Sequence, residues 1–121
     1  MAHERILIVE DDFLIRATLA ETLEDDGFEV LAAESGEQAV DIVRADPGIN
    51  LLMTDLALAG GMNGQTLAAE IRGLVPNIPI IFMTGRPDMV AGLNGPRDLI
   101  VSKPYMPSSL SAAARQLLDT L

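Results

Sequence analysis

Five short apolar runs recur along the chain, at residues 6–9, 28–32, 50–54, 78–83 and 99–101, and they are mostly continuous rather than alternating. A strand with one wet face alternates apolar and polar side chains, whereas a strand covered on both faces does not. The runs therefore predict a parallel sheet with helices on both faces. Helical patterns fill the gaps. Residues 12–26 place Ile15, Leu19 and Leu23 on one stripe, with Glu21, Glu24, Asp25 and Asp26 able to face water. Ser35-Gly36-Glu37-Gln38 reads as a capping box opening a helix to about Ala45, stopped by Pro47-Gly48. Residues 64–74 carry Leu67, Ile71 and Leu74. The last segment carries Leu110, Ala113, Ala114, Leu117, Leu118 and Leu121, with Pro107 near its start. Residues 85–97, with Gly85, Pro87, Gly92, Gly95 and Pro96, admit at most a short helix over 87–93.

An alternation of strand and helix gives an α/β fold with right-handed crossovers. For five parallel strands the common doubly wound order is 2-1-3-4-5, with ligands bound at the carboxyl ends of strands one and three. The 121 residues suit one domain spanning 1–121.

Composition removes whole classes of function. Eight basic residues against 18 acidic ones leave a net charge of −10, which opposes direct nucleic-acid binding. With no cysteine there is no disulfide scaffold, thiolate metal site or cysteine nucleophile. The one histidine, His3, argues against histidine metal sites and a Ser-His-Asp triad. No run approaches the roughly 20 apolar residues of a membrane span, and the start is no signal peptide. The expectation is a cytoplasmic protein.

Chemistry gathers at the ends of the runs. Glu10, Asp11 and Asp12 follow the first, Asp55 the third, Thr84 the fourth, and Ser102-Lys103 the fifth. In the 2-1-3-4-5 order these ends are neighbours, whereas Glu34, after the edge strand, is a bystander. Carboxylates about 4 Å apart repel by about 4 kcal/mol at an effective dielectric of 20, so such a cluster calls for a cation. Carboxylate, carbonyl and water oxygens suit Mg²⁺, making Asp11 and Asp12 candidate ligands with Asp55 sharing the metal. Asp55 can then act as a nucleophile that forms an acyl phosphate. Lys103, the only lysine beside seven arginines, and the Thr84 hydroxyl can neutralise and hydrogen-bond the phosphoryl oxygens. Three acids after strand one disfavour a dinucleotide or flavin phosphate site, and no Walker A motif is present.

Each residue has a plainer reading when taken alone. Asp11 or Asp12 could cap the first helix, a role compatible with metal binding. Thr84 could close a local turn, and Lys103 could be a solvated lysine. Met53, Met62, Met83, Met89 and Met106 read as core or loop filler. The weight lies in the combination.

That combination resembles the receiver domain of two-component response regulators. The matching pieces are Ile6-Leu7-Ile8-Val9-Glu10-Asp11-Asp12, Met53-Thr54-Asp55, Gly60-Gly61-Met62-Asn63-Gly64, Phe82-Met83-Thr84-Gly85 and Val101-Ser102-Lys103-Pro104-Tyr105. Asp12, Asp55, Thr84 and Lys103 follow one another at spacings of 43, 29 and 19 residues. The resemblance implies a phosphoacceptor at Asp55 and Mg²⁺ held by Asp11, Asp12, Asp55 and the backbone carbonyl of Ala57. It implies phosphoryl recognition by Thr84 and Lys103 and a cis Lys103-Pro104 peptide. The donor would be a phosphohistidine on a sensor histidine kinase or a histidine phosphotransfer protein, not His3. Such a domain promotes its own phosphorylation and dephosphorylation as a switch and is not a turnover enzyme.

The chain departs from the family at several positions. Ile100 stands three residues before the lysine, where receivers often carry a switch aromatic; Tyr105 lies two residues after it. The Thr84–Lys103 spacing is short, Ala59 stands where proline is frequent, and Ala57 and Arg86 occupy positions that tune phosphoryl lifetime in the family. These changes bear on output more than on phosphorylation. The chain is expected to be a stand-alone receiver or one excised from a larger protein. The rival readings are a non-phosphorylated receiver-like interaction module and, more weakly, a Mg²⁺-dependent phosphatase.

Overall fold

In the computed structural model, which describes residues 3–58, 60–86, 92 and 95–120, five parallel strands form one sheet ordered β2-β1-β3-β4-β5. The strands are β1 (Arg5–Val9), β2 (Glu29–Ala33), β3 (Leu51–Asp55), β4 (Ile80–Thr84) and β5 (Asp98–Ser102). The helices are α1 (Phe13–Asp25), α2 (Gly36–Ala45), α3 (Gly64–Leu74) and α4 (Pro107–Asp119). The short helix expected within 87–93 (Gly92 apart) and Ala59 fall outside the described residues, as do Met89 and Leu121.

The strand pleat divides the apolar runs between two cores. Leu7, Val9, Leu52, Ile80 and Phe82 pack on the face covered by α2 and α3. Ile6, Ile8, Leu51, Met53, Ile81 and Met83 pack on the face covered by α1 and α4. Both sides are dry, which is why the runs are continuous. Pro79 lies just before β4, and Leu52 donates to its carbonyl at 3.0 Å, so the fourth strand starts two residues later than the apolar run.

Helix ends follow local chemistry. Ser35 caps α2 by accepting from Gln38 N at 3.1 Å. The return bond of the expected capping box is shifted: Gln38 Oε1 accepts from Glu34 N at 2.7 Å, one residue before the cap. At the end of α1, Phe28 N donates to Leu23 O at 3.1 Å and Gly27 N to Glu24 O at 3.0 Å, the Schellman pattern. That pattern needs a left-handed residue, and Gly27 has φ 97°. Phe28 and Leu23 then meet in the core.

Two positions of the expected apolar stripes do not go inside: Ile15 on α1, and Leu74, the last residue of α3, which is also 40 % exposed. Leu19 and Leu23 are buried, but Ile15 is 40 % exposed beside Phe13 and Leu14, at 67 % and 73 %. On α1 the buried positions are Leu19 and Leu23, and the apolar residues of the first turn stay at the surface.

A methyl group at Gly27 would meet nothing within 4 Å. Gly27→Ala is therefore a purely conformational change, expected to cost about 1 kcal/mol of unfolding free energy. Denaturant titration with an unchanged slope would read it.

Candidate functional site

The carboxyl ends of the four contiguous strands meet at one edge. Asp55 and Thr84 are the last residues of β3 and β4, Glu10 follows β1, and Lys103 follows β5. Thr84 pairs with Ser102 across the sheet, and Lys103 N donates to Thr84 O at 2.7 Å. The lysine is thus placed by the end of the ladder, and its peptide to Pro104 is cis.

Asp55 is 3 % exposed, and both its carboxylate oxygens are engaged. Lys103 Nζ donates to Oδ2 at 2.5 Å, and Ala57 N donates to Oδ1 at 3.1 Å. The Thr84 hydroxyl accepts from Arg86 N at 3.0 Å. The structure thus brings the predicted Asp55 and Lys103 into direct contact. It puts Thr84 at the next strand end and Ala57 in the loop after β3.

The acidic partners of Asp55 are Glu10 and Asp11, whose carboxylates offer oxygens within 4.8 Å of one another and of Asp55. Asp12, expected beside Asp11 as a metal ligand, lies outside this cluster. Asp12 is exposed and caps α1, its Oδ1 accepting from Ile15 N at 3.1 Å. The first N–H groups of a helix lack intrahelical partners, and a carboxylate immediately before the helix satisfies one of them. Glu10, present in the sequence motif but given no metal role, takes the inner place. It continues the pleat of Ile6 and Ile8, and that alternation was the available signal. Glu34 stays outside the cluster, as its edge strand implies.

Burial pushes the Glu10 carboxyl up to about 7; a bond from Asp12 N–H opposes this and the Asp55 charge adds to it. Burial, with the charges of Glu10 and Asp55, pushes the Tyr105 phenol up to about 12. Glu10 Oε1 accepts from Asp12 N at 3.2 Å, while Oε2 is buried without a hydrogen-bond partner. An orphaned carboxylate oxygen among two further carboxylates is a donor set suited to a hard divalent cation.

The loop after β3 is held by a close approach. Gly64 N donates to Leu56 O at 3.0 Å. A Cβ on Gly64 would lie 2.5 Å from the Asp55 carbonyl oxygen and 2.8 Å from Leu56 Cα, both backbone atoms. Only glycine lets α3 start there.

The family model for the response regulator receiver domain matches residues 6–115. The chain belongs to that family. It is 37 % identical over 122 residues to the aerobic respiration control protein ArcA of Escherichia coli (strain K12), covering 98 % of this chain and 50 % of ArcA. It is 32 % identical to the response regulator MprA of Mycobacterium tuberculosis (strain H37Rv), over 94 % of this chain and 50 % of MprA. The receiver thus spans about half the length of these curated relatives. A response regulator receiver protein from Sinorhizobium medicae WSM419 superposes with a TM-score of 0.88 at 28 % identity, covering 97 % of this chain and 95 % of that one. The receiver domain of the hybrid histidine kinase CckA gives 0.82 at 31 % identity, over 94 % and 98 %. Among the described residues no helix is long and apolar enough to cross a membrane.

Two outcomes follow for the receiver edge. Because the folded-state pKa of Glu10 is raised, the folded protein binds more protons than the unfolded chain between pH 4.5 and about 7. The Glu10 contribution to stability therefore falls across that window and is constant above it, by at most about 3 kcal/mol. In divalent-free buffer, Glu10→Gln is expected to flatten this part of the stability profile, read by urea unfolding at several pH values. Separately, Gly64→Ala forces the backbone apart and is expected to cost about 1–3 kcal/mol, again read by urea unfolding.

Proposed function

We propose that Asp55 is the phosphoacceptor of this receiver and that the carboxylate cluster holds Mg²⁺. The observation that carries the reading is the contact between Lys103 Nζ and the buried Asp55 carboxylate beside Glu10 and Asp11. Asp11 and Asp55 would hold the ion with the Ala57 carbonyl, and Glu10 would complete the acidic wall. The bound ion supplies charge neutralisation for the phosphoryl oxygens.

The donor is a phosphohistidine on a sensor histidine kinase or a histidine phosphotransfer protein. A carboxylate oxygen of Asp55 attacks phosphorus, an O–P bond forms, and the P–N bond to the donor imidazole breaks. Lys103 gives up part of its contact with Asp55 and pairs with the phosphoryl oxygens. The Thr84 hydroxyl, now accepting from Arg86 N, turns to donate to the same group. Water then attacks phosphorus, the O–P bond to Asp55 breaks and inorganic phosphate leaves, so the domain cycles as a switch and turns over no other substrate.

A groove of about 600 Å³ beside the site is lined by Leu14, Ile15, Lys103, Pro104 and Tyr105. With exposed Phe13 and Met106, it offers apolar surface on which the donor protein can dock while its imidazole reaches Asp55. The site acts in the cytoplasm, within one domain at 1–121. The acidic surface argues against direct nucleic-acid contact by this segment.

Incubation with a small acyl-phosphate donor and Mg²⁺ is expected to add the mass of one phosphoryl group. Asp55→Asn should abolish the gain, and chelation of Mg²⁺ should suppress it at least tenfold. An unmodified wild-type protein, indistinguishable from Asp55→Asn, would instead support an interaction module that does not use phosphorylation.

A further inference from the structure

Glu10 is fixed on almost every side. Its N–H donates to Ala33 O at 3.1 Å, continuing the β1–β2 ladder. Its Oε1 accepts from Asp12 N at 3.2 Å. Its carbonyl, at the point where β1 leaves the sheet, accepts from Arg16 Nη1 at 2.7 Å. The one oxygen left without a partner is Oε2, buried at the carboxylate cluster. Three of the four groups of Glu10 are thus tied down, two by backbone and one by a side chain one turn into α1.

Arg16 is itself held. Its N–H donates to Asp12 O at 2.9 Å in the first turn of the helix, and its guanidinium lies 5.6 Å from the Phe13 ring centroid. Backbone and side chain therefore bracket the Glu10-Asp11-Asp12 turn from both ends. A flexible turn carrying adjacent acids would swing its carboxylates apart into water, because mutual repulsion favours separation. The guanidinium clasp on the Glu10 carbonyl opposes that.

We propose that Arg16 is a positioning residue for the divalent cation. By holding the Glu10 carbonyl, it keeps Glu10 Oε2 and Asp11 aimed at Asp55. The inference rests on the metal reading above and assigns no contact between Arg16 and the ion.

The sign of the effect separates this role from plain electrostatics. A cationic side chain near a cation site disfavours cation binding, so removing its charge alone would tighten Mg²⁺. Removing a clasp that orders the ligands would weaken it, and outer partners of metal ligands typically matter by about 10–100-fold in affinity. The experiment is an amide NMR titration of the intact chain with MgCl₂ and no phosphodonor, paired with thermal unfolding of each variant. Arg16→Met keeps the apolar stem and is expected to raise the Mg²⁺ Kd about tenfold or more while the spectrum stays folded. Arg16→Lys, which retains a donor and the charge, is expected to recover most of the affinity. A Kd in Arg16→Met equal to or tighter than wild type overturns the proposal, whatever happens to the melting temperature. If Arg16→Met does not fold, Arg16→Gln against Arg16→Lys carries the same comparison. Wild-type protein whose amides do not respond to MgCl₂ overturns the metal reading itself, and this inference with it.

Discussion

Three carboxylates crowd one end of the sheet with a single ammonium among them, and that imbalance organises the rest of the site. The formal charges of Glu10, Asp11, Asp55 and Lys103 leave two negative charges over, the charge of one divalent cation. The fold places these groups with main-chain precision, since each follows or ends a strand of the same ladder. The imbalance is visible in the Glu10 carboxyl, pushed up to about 7 by burial and by its neighbour Asp55. A half-buried pair such as Lys103–Asp55 adds little net stability, because desolvation offsets attraction. Its consequence is chemical: in the proposed reaction, the nucleophile and the cation that would meet the phosphoryl group are already together.

Much of this was legible in the sequence because the relevant signals are local. Continuous apolar runs need cover on both faces, and the two cores on either side of the sheet supply it. Strand order and chain direction then bring Asp55, Thr84 and Lys103 to one edge without knowledge of any side-chain angle. What sequence could not resolve was the division of labour among three consecutive acids. Glu10, Asp11 and Asp12 look equivalent as letters, yet the pleat sends Glu10 inward and the helix start claims Asp12. Asp12 Oδ1 serves the helix cap, and Glu10, Asp11 and Asp55 form the cluster without Asp12.

The first turn of α1 shows a second limit. Periodicity enrolled Ile15 in a core stripe, but a stripe is buried only where something lies beneath it. Ile15 instead joins Phe13 and Leu14 on the surface, and Leu14 and Ile15 line the groove at Lys103. This uncovered apolar surface is therefore next to Lys103, where the proposed protein donor would arrive.

Ile100 constrains the output side of the proposed switch. It pairs with Phe82 in the ladder and packs against the core on the α2/α3 face. A β-branched side chain has few rotamers, and this one is held by its neighbours, so it cannot swing in and out as a ring on a surface does. The movable contacts lie instead at the strand ends: Thr84 with Arg86, and Lys103 with Asp55. An acyl phosphate there would carry about −1.5 to −2 charges in place of the single charge of the carboxylate. Both contacts would have to be exchanged for contacts with the phosphoryl group, and the backbone that follows Thr84 would lose the hydroxyl that now accepts from it. In the proposed switch, the change is therefore transmitted through the chain leaving β4 and not through a side chain at position 100.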